Sequence, residues 1–347
     1  MSWLPEVLHP VAMRLARADQ LAYELGEVAL AWSRGPGDQG ALRLRQVERT
    51  SGCFDVEVAS IRPVPPVAAM LFSEAVHHLR SAVDNVVFHM VEREHGQPLT
   101  SQQERNVSML VHDEEGPYRD RVKRLTSGKN AVPVLGPDHA PGRRIASLQP
   151  FNDDAEISAV PPSLGLLMGV SEAATAHPLS LLRDYSNEDK HRSIRLAAGR
   201  SLVQRPDDWE RSVGLGMRAV EVGMVLERVE KGVPTGVEIS PAIHVRRPNG
   251  GPWVSPGYEL DAIARHVSDV VIPTLVKGMA LPGALPAEVD LSDTGEGLAE
   301  RLAEGGITRA HDRMRGASTR AYFEAMGRDV KWPPITSELE DAEDEDA

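Results

Sequence analysis

The stretch VAAMLFSEAVHHLRSAVDNVVFHMVERE, residues 67–94, constrains this chain more than any other. Leu71, Ala75, Leu79, Ala82, Val83, Val86 and Met90 recur at three- and four-residue steps, which places them on one face of a helix. Pro63-Val64-Pro65-Pro66 precede it and Gly96 and Pro98 follow it. Proline is tolerated in a first helical turn but not in the strand before it, so these residues bound the helix at both ends. One long apolar stripe needs partner helices. The same spacing predicts them over 11–33 (Val11, Leu15, Ala18, Leu21, Leu25), over 178–198 with Pro178 in the first turn, and over 258–279.

Strand signals lie between these helices. ALRLRQVERT and GCFDVEVASI alternate apolar and polar residues around Thr50-Ser51-Gly52, which predicts a β-hairpin over 42–61. MRAVEVGMVLERV and GVEISPAIHVRR read as strands within 217–246, VSMLV as a short strand and YRDRVKRL as a short helix. The expected class is α+β: a helical core packed with antiparallel hairpin and sheet segments. Residues 1–282 form one domain on this reading, 283–335 a peripheral helical extension and 336–347 a disordered acidic tail.

Composition narrows the partners. The formal charge is −13, of which the last ten residues, ELEDAEDEDA, hold seven acids and no base, leaving −6 for the body. An acidic body argues against nucleic-acid binding by bulk charge but leaves room for a local basic site. Residues 119–144 hold seven Lys and Arg against Asp120 and Asp138. The single cysteine, Cys53, excludes an intrachain disulfide and fits a reducing cytoplasm. No signal peptide is read at the start, and no run of 18 apolar residues spans a membrane.

The chemistry concentrates in LRDYSNEDKHRSIRLAAG, residues 182–199. Arg183, Asn187 and His191 stand at i, i+4 and i+8 on one helical stripe, with Lys190 and Arg192 beside it. The helix at 67–94 carries a matching ladder of His77, Arg80 and Asp84. If the ladders meet, Asp84 accepts from His191 or Arg183. An Asp–His pair then moves a proton near neutral pH while the cations hold a phosphate. The candidate catalytic residues are therefore Asp84, Asn187 and His191, and the candidate phosphate ligands Arg80, Arg183, Lys190 and Arg192. In the rival reading the same ladders are a polar network that fixes helix packing.

HHLRSAVDNVVFHM, LQPFND and HPLSLLRDYSNEDKHRSIRLAA together resemble a family of bacterial proteins frequent in actinobacteria, over roughly residues 11–280. The matching residues include Leu79, Arg80, Ser81, Asp84, Leu148, Gln149, Pro150, Asn187, Asp189, Lys190, His191 and Arg192. That resemblance implies no particular activity. More distantly the chain is similar to HEPN domains, helical modules that pair an Arg and a His on one helix, often in ribonucleases of defence systems. That similarity implies an RNA-binding or metal-independent ribonuclease module in defence or stress response. Arg183 and His191 have seven residues between them, wider than that pattern.

Metal chemistry is the further alternative. Glu74–His77, Glu92–His95 and Glu188–His191 have the Glu-x-x-His spacing of di-iron bundles. Lys190 and Arg192 would set positive charge beside the ion, so no metal or other cofactor is assigned. His266, in the apolar stripe of 258–279, reads as a core or boundary histidine with its hydrogen bonds satisfied. Gly214-Leu215-Gly216-Met217-Arg218-Ala219 lacks the strand and helix a dinucleotide loop needs. Cys53 reads as a packed hairpin residue. The candidate partners are RNA, a second copy or another protein, and no membrane.

Overall fold

In the computed structural model, the described residues are 4–35, 40–49, 52–162, 173–191, 193–204, 218–230, 238–281 and 309–316. They form an α+β fold. Helix α1 (His9–Arg34) buries Val11, Ala12, Leu15, Ala18, Leu21, Leu25 and Trp32. Helix α2 (Pro66–His95) starts on Pro66 and stops at Gly96, whose left-handed backbone (φ 71°) favours glycine. The two run antiparallel. Trp32 Nε1, near the end of α1, donates to the Pro63 carbonyl (3.1 Å) just before α2, while His9 and Arg14 lie beside His78.

The hairpin expected over 42–61 is present as β1 (Leu42–Glu48) and β2 (Cys53–Ile61). It joins the later strands: β7 (Val225–Glu230) pairs with β2 and completes a β1-β2-β7 sheet. On one face Asp55 takes Arg49 (2.7 Å) and Arg228 (2.7 Å), which hold its carboxyl down at about 2. On the other, Val58 packs with Val220 and Leu226.

A short turn of helix, α3 (Ser101–Glu104), precedes α4 (Glu115–Thr126), where the expected short helix lies, and α5 (Ala140–Ser147). VSMLV, residues 107–111, expected as a strand, pairs with no other strand among the described residues. Two-residue strands β3 (Ile157–Ser158) and β4 (Thr175–Ala176) then lead into α6 (Pro178–His191). The helix expected to reach 198 ends at His191. Leu196–Gln204 is instead strand β5, paired antiparallel with β8 (Glu238–Arg246). Ile194 and Ala198 fit a helical period, but the ladder to β8 satisfies the backbone and buries both. β6 (Arg218–Ala219) and β9 (Trp253–Val254) complete this second sheet, ordered β6-β5-β8-β9.

The last long helix is interrupted. α7 (Pro256–Arg265) passes through a π turn (His266–Val271) into α8 (Ile272–Lys277). Pro273 has no N–H for the Asp269 carbonyl and its ring would clash with it. That carbonyl accepts from Leu281 N–H instead (2.7 Å). Of the expected C-terminal extension, 309–316 lies among the described residues and is docked. Arg309 donates to Ser268 Oγ (2.8 Å) and Asp269 Oδ1 (2.7 Å), and Asp19 accepts from Ala310 N–H (2.8 Å).

The helices and the second sheet share one core. Phe72 of α2 meets Tyr185 of α6 edge-on at 5.0 Å. Inside it Arg247 forks onto Glu259 with two 2.8 Å bonds, the side chains 4% and 0% exposed. Tyr185 O–H adds a third bond to Glu259 (3.1 Å), and Arg247 also donates to the Ile157 carbonyl (3.0 Å). Each remaining lone pair and proton of a buried ion pair needs such a partner if the pair is not to be a net cost.

β8 is buried on both faces, Ile243 and Val245 on one and His244 on the other. Neither ring nitrogen of His244 has a partner, and burial pushes it down to about 4. Because the folded value lies below the unfolded 6.5, the unfolded chain takes the proton first as pH falls. The contribution of His244 is full above pH 6.5 and is lost, by on the order of 3 kcal/mol, between 6.5 and 4. We expect His244→Leu to retain or raise stability at pH 7 and to flatten that part of the curve, measured by urea denaturation at pH 7, 5.5 and 4.5. An unchanged acid slope would refute this assignment.

Candidate functional site

Arg80 and Asp84 of one ladder and Arg183 of the other converge on a third segment instead of on each other. Arg80 donates Nε to Asp84 Oδ2 (3.0 Å) and Nη2 to the Met109 carbonyl (2.7 Å). Asp84 Oδ1 accepts the Met109 N–H (2.8 Å). The pair thus clamps both polar groups of one peptide residue. From α6, Arg183 donates to the Val111 carbonyl (3.2 Å), to Asp113 Oδ2 (2.9 Å) and to Asp184 Oδ1 (2.7 Å). Ser180 Oγ donates to the other oxygen of Asp113. Asp84 therefore does not accept from Arg183, one of the two donors the sequence offered; the side chain of the other, His191, lies outside the described residues. The two oxygens of Asp84 are committed to Arg80 and Met109.

Gln149, from LQPFND, supplies the third attachment and is fully buried. Its Nε2 donates to the Leu110 carbonyl (2.8 Å) and the Ile145 carbonyl (2.9 Å), and its Oε1 accepts the His112 N–H (3.0 Å). Residues 107–113 form a strap with no ladder of its own. Five of its backbone groups, the N–H and carbonyl of Met109, the carbonyls of Leu110 and Val111 and the N–H of His112, pair with side chains from α2, α6 and the Gln149 turn.

The other sequence candidates lie apart. Asn187 and Lys190 are exposed on α6. His191 is the last residue of α6, its side chain outside the described set, and Arg192 lies outside the described residues. Asn187 lines an open polar cleft of about 660 Å³ with Asp184, Glu188, Arg195, Arg246 and Asn249. His77 is exposed and lies 3.5 Å from Ser81 Oγ, with no Glu74 contact.

A different group collects donor atoms. Asp153, His177 and His266 each offer one ligand atom, all within 4.8 Å of one another. Asp153 Oδ2 is 3.5 Å from His177 Nε2 and 3.5 Å from His266 Nε2. The rings stand edge to face at 5.3 Å and 82°. Burial pushes both imidazoles below their ordinary value, against the pull of the Asp153 carboxylate, so both are neutral at pH 7. His266 was expected to be satisfied; it is buried, but its Nε2 has no partner.

Each of the three is held in place. The Gln149 carbonyl accepts the N–H groups of Asn152 (2.7 Å) and Asp153 (3.0 Å), and Ala155 N–H occupies Asp153 Oδ1 (3.1 Å). His177 precedes α6, where its Nδ1 accepts Leu179 N–H (3.1 Å). His266 opens the π turn. Arg144 of α5 donates to the carbonyls of Leu275 (2.7 Å) and Val276, which ties the helix before the Asp153 loop to α8. Sequence reasoning passed over Asp153 and His177, although they are the last residue of LQPFND and the first of HPLSLL.

No family model, no curated protein and no solved structure matches the chain. The assignment of function therefore rests on this geometry.

If Gln149 anchors the strap, Gln149→Leu should destabilise the protein by roughly 3 kcal/mol. It removes three hydrogen bonds from buried groups while nearly keeping volume, and each orphaned group costs about 1–3 kcal/mol. Urea denaturation checks the magnitude. Hydrogen exchange should show lost protection at His112 N–H; an unaltered rate there would contradict the anchoring role.

Proposed function

We propose that the chain is a non-catalytic structural or interaction protein in which the polar ladders of α2 and α6 set the packing. The observation that supports this reading is the common destination of Arg80, Asp84 and Arg183. Each of the three makes at least one hydrogen bond to residues 107–113, and their other bonds join Arg80 to Asp84 and Arg183 to Asp184. A residue engaged in this way is poorly placed to turn toward a substrate phosphate, because turning would orphan the peptide groups it serves.

A second reading, recognition of a phosphate-bearing ligand such as RNA, is favoured by the cleft at the side of α6. Asn187 there faces a rim that includes Arg195 and Arg246. Asp184 and Glu188 line the same cleft, so its potential is mixed.

Melting temperature and cleavage of a labelled RNA separate nuclease from scaffold. Arg80→Ala and Asp84→Ala should each melt several degrees lower, and neither they nor the wild type should cleave RNA. RNA cleavage by the wild type that His191→Ala abolishes at unchanged melting temperature would overturn the scaffold reading. Binding of a short single-stranded RNA, weakened at least five-fold by Arg195→Ala in fluorescence anisotropy, would establish the second reading in its place.

A further inference from the structure

We propose that Asp153, His177 and His266 form a binding site for one divalent transition-metal cation of the zinc class, with a fourth position left for water. Among the described residues, six buried side-chain nitrogen or oxygen atoms have no hydrogen-bond partner. Three of the six are Asp153 Oδ2, His177 Nε2 and His266 Nε2, and they point into one space. The histidine side chains are only 8% and 6% exposed. Leaving three such groups orphaned in one place costs several kcal/mol, and a shared cation removes that cost.

The spacing fits an ion better than it fits hydrogen bonds. Zinc binds nitrogen and carboxylate oxygen at about 2.0–2.1 Å, so two ligands of a tetrahedral ion lie about 3.3 Å apart. The two Asp–His separations, 3.5 Å each, are close to that edge and long for a hydrogen bond. Two imidazoles and one carboxylate also suit zinc or ferrous iron by ligand type, and hard cations such as Mg²⁺ poorly.

The electrostatic neighbours of His177 are the carboxylates of Asp153 and Asp113, and those of His266 are Asp153, the His177 ring and Asp269; Asp113 and Asp269 are themselves paired with Arg183 and Arg309. The Glu188–His191 pair, by contrast, has Lys190 and Arg192 as neighbours in sequence. The ligands also come from three elements that are separately fixed: the Gln149 turn, the residue before α6 and the π turn. Such turns recur at functional sites.

The tautomer of His177 gives the site a local reporter. Its Nδ1 accepts Leu179 N–H, so the cation-free neutral ring carries its proton on Nε2. A cation at Nε2 displaces that proton. With solvent as carrier it moves to Nδ1, and the Leu179 N–H loses its acceptor. No electron is transferred and no other bond changes.

The test uses the full-length, tag-free chain after chelator dialysis. Titration with Zn²⁺ should give one equivalent per chain by calorimetry and by elemental analysis. Co²⁺ should give the visible absorption of a tetrahedral ion. Asp153→Asn and His266→Ala should each weaken binding at least a hundred-fold, with folding checked by circular dichroism. Should His266→Ala fail to fold, Asp153→Asn and His177→Gln carry the test. The Leu179 amide resonance of the wild type should shift on loading. Absence of one bound equivalent at micromolar Zn²⁺, or binding that survives all the foldable variants, would overturn the proposal.

Discussion

The fold is organised around a segment that has no regular structure of its own. Residues 107–113 are irregular and have no neighbouring strand among the described residues, so several of their peptide groups pair with side chains. Arg80 and Asp84 reach them from α2, Arg183 from α6 and Gln149 from the turn after α5. Buried backbone groups must be paired, and this is how the strap pairs its own. In doing so it joins three sequence-distant pieces of chain through one set of contacts. Two of those pieces, the Gln149 turn and α6, also present Asp153 and His177.

The helical core around this strap is closed by polar interactions at a few points. Arg247, Glu259 and Tyr185 connect the end of β8, α7 and α6 inside the apolar interior. Pro273 converts a stretch of helix into a π turn, and the turn then serves two neighbours. Ser268 and Asp269 receive Arg309 from the C-terminal segment, and His266 stands beside Asp153. A local backbone irregularity with one identifiable cause thus anchors residues 309–316 and carries one member of the polar cluster.

Much of this architecture was legible in the chain. The spacing of Leu71, Leu79, Val83 and Val86, framed by Pro66 and Gly96, specifies α2 almost to its ends. Alternation around Gly52 specifies the hairpin. The placement of Arg80 and Asp84 on one face of α2, close enough to pair, and of Arg183 on α6 was legible as well, but their partners within residues 107–113 were not. Helical spacing reveals which residues share a face; it is silent on what that face meets. The sequence reading let the ladders touch directly, whereas the strap lies at their ends and absorbs them. Residues 194–198 were misassigned for a related reason, because Ile194, Leu196 and Ala198 satisfy both a helical and a strand pattern until β8 supplies the ladder.

The sequence by itself determined the α+β class, the long helices and the front hairpin. These follow from local periodicity and from the conformational limits of proline and glycine, which act within a few residues. Tertiary structure alone decided that β7 joins the hairpin, that the ladders serve residues 107–113, and that Asp153, His177 and His266 converge. Those are encounters between residues from 24 to 177 positions apart, from His177 with Asp153 to Cys53 with Glu230. Only the packing of the whole core brings such distant groups within a few ångströms, and no local pattern in the chain records it.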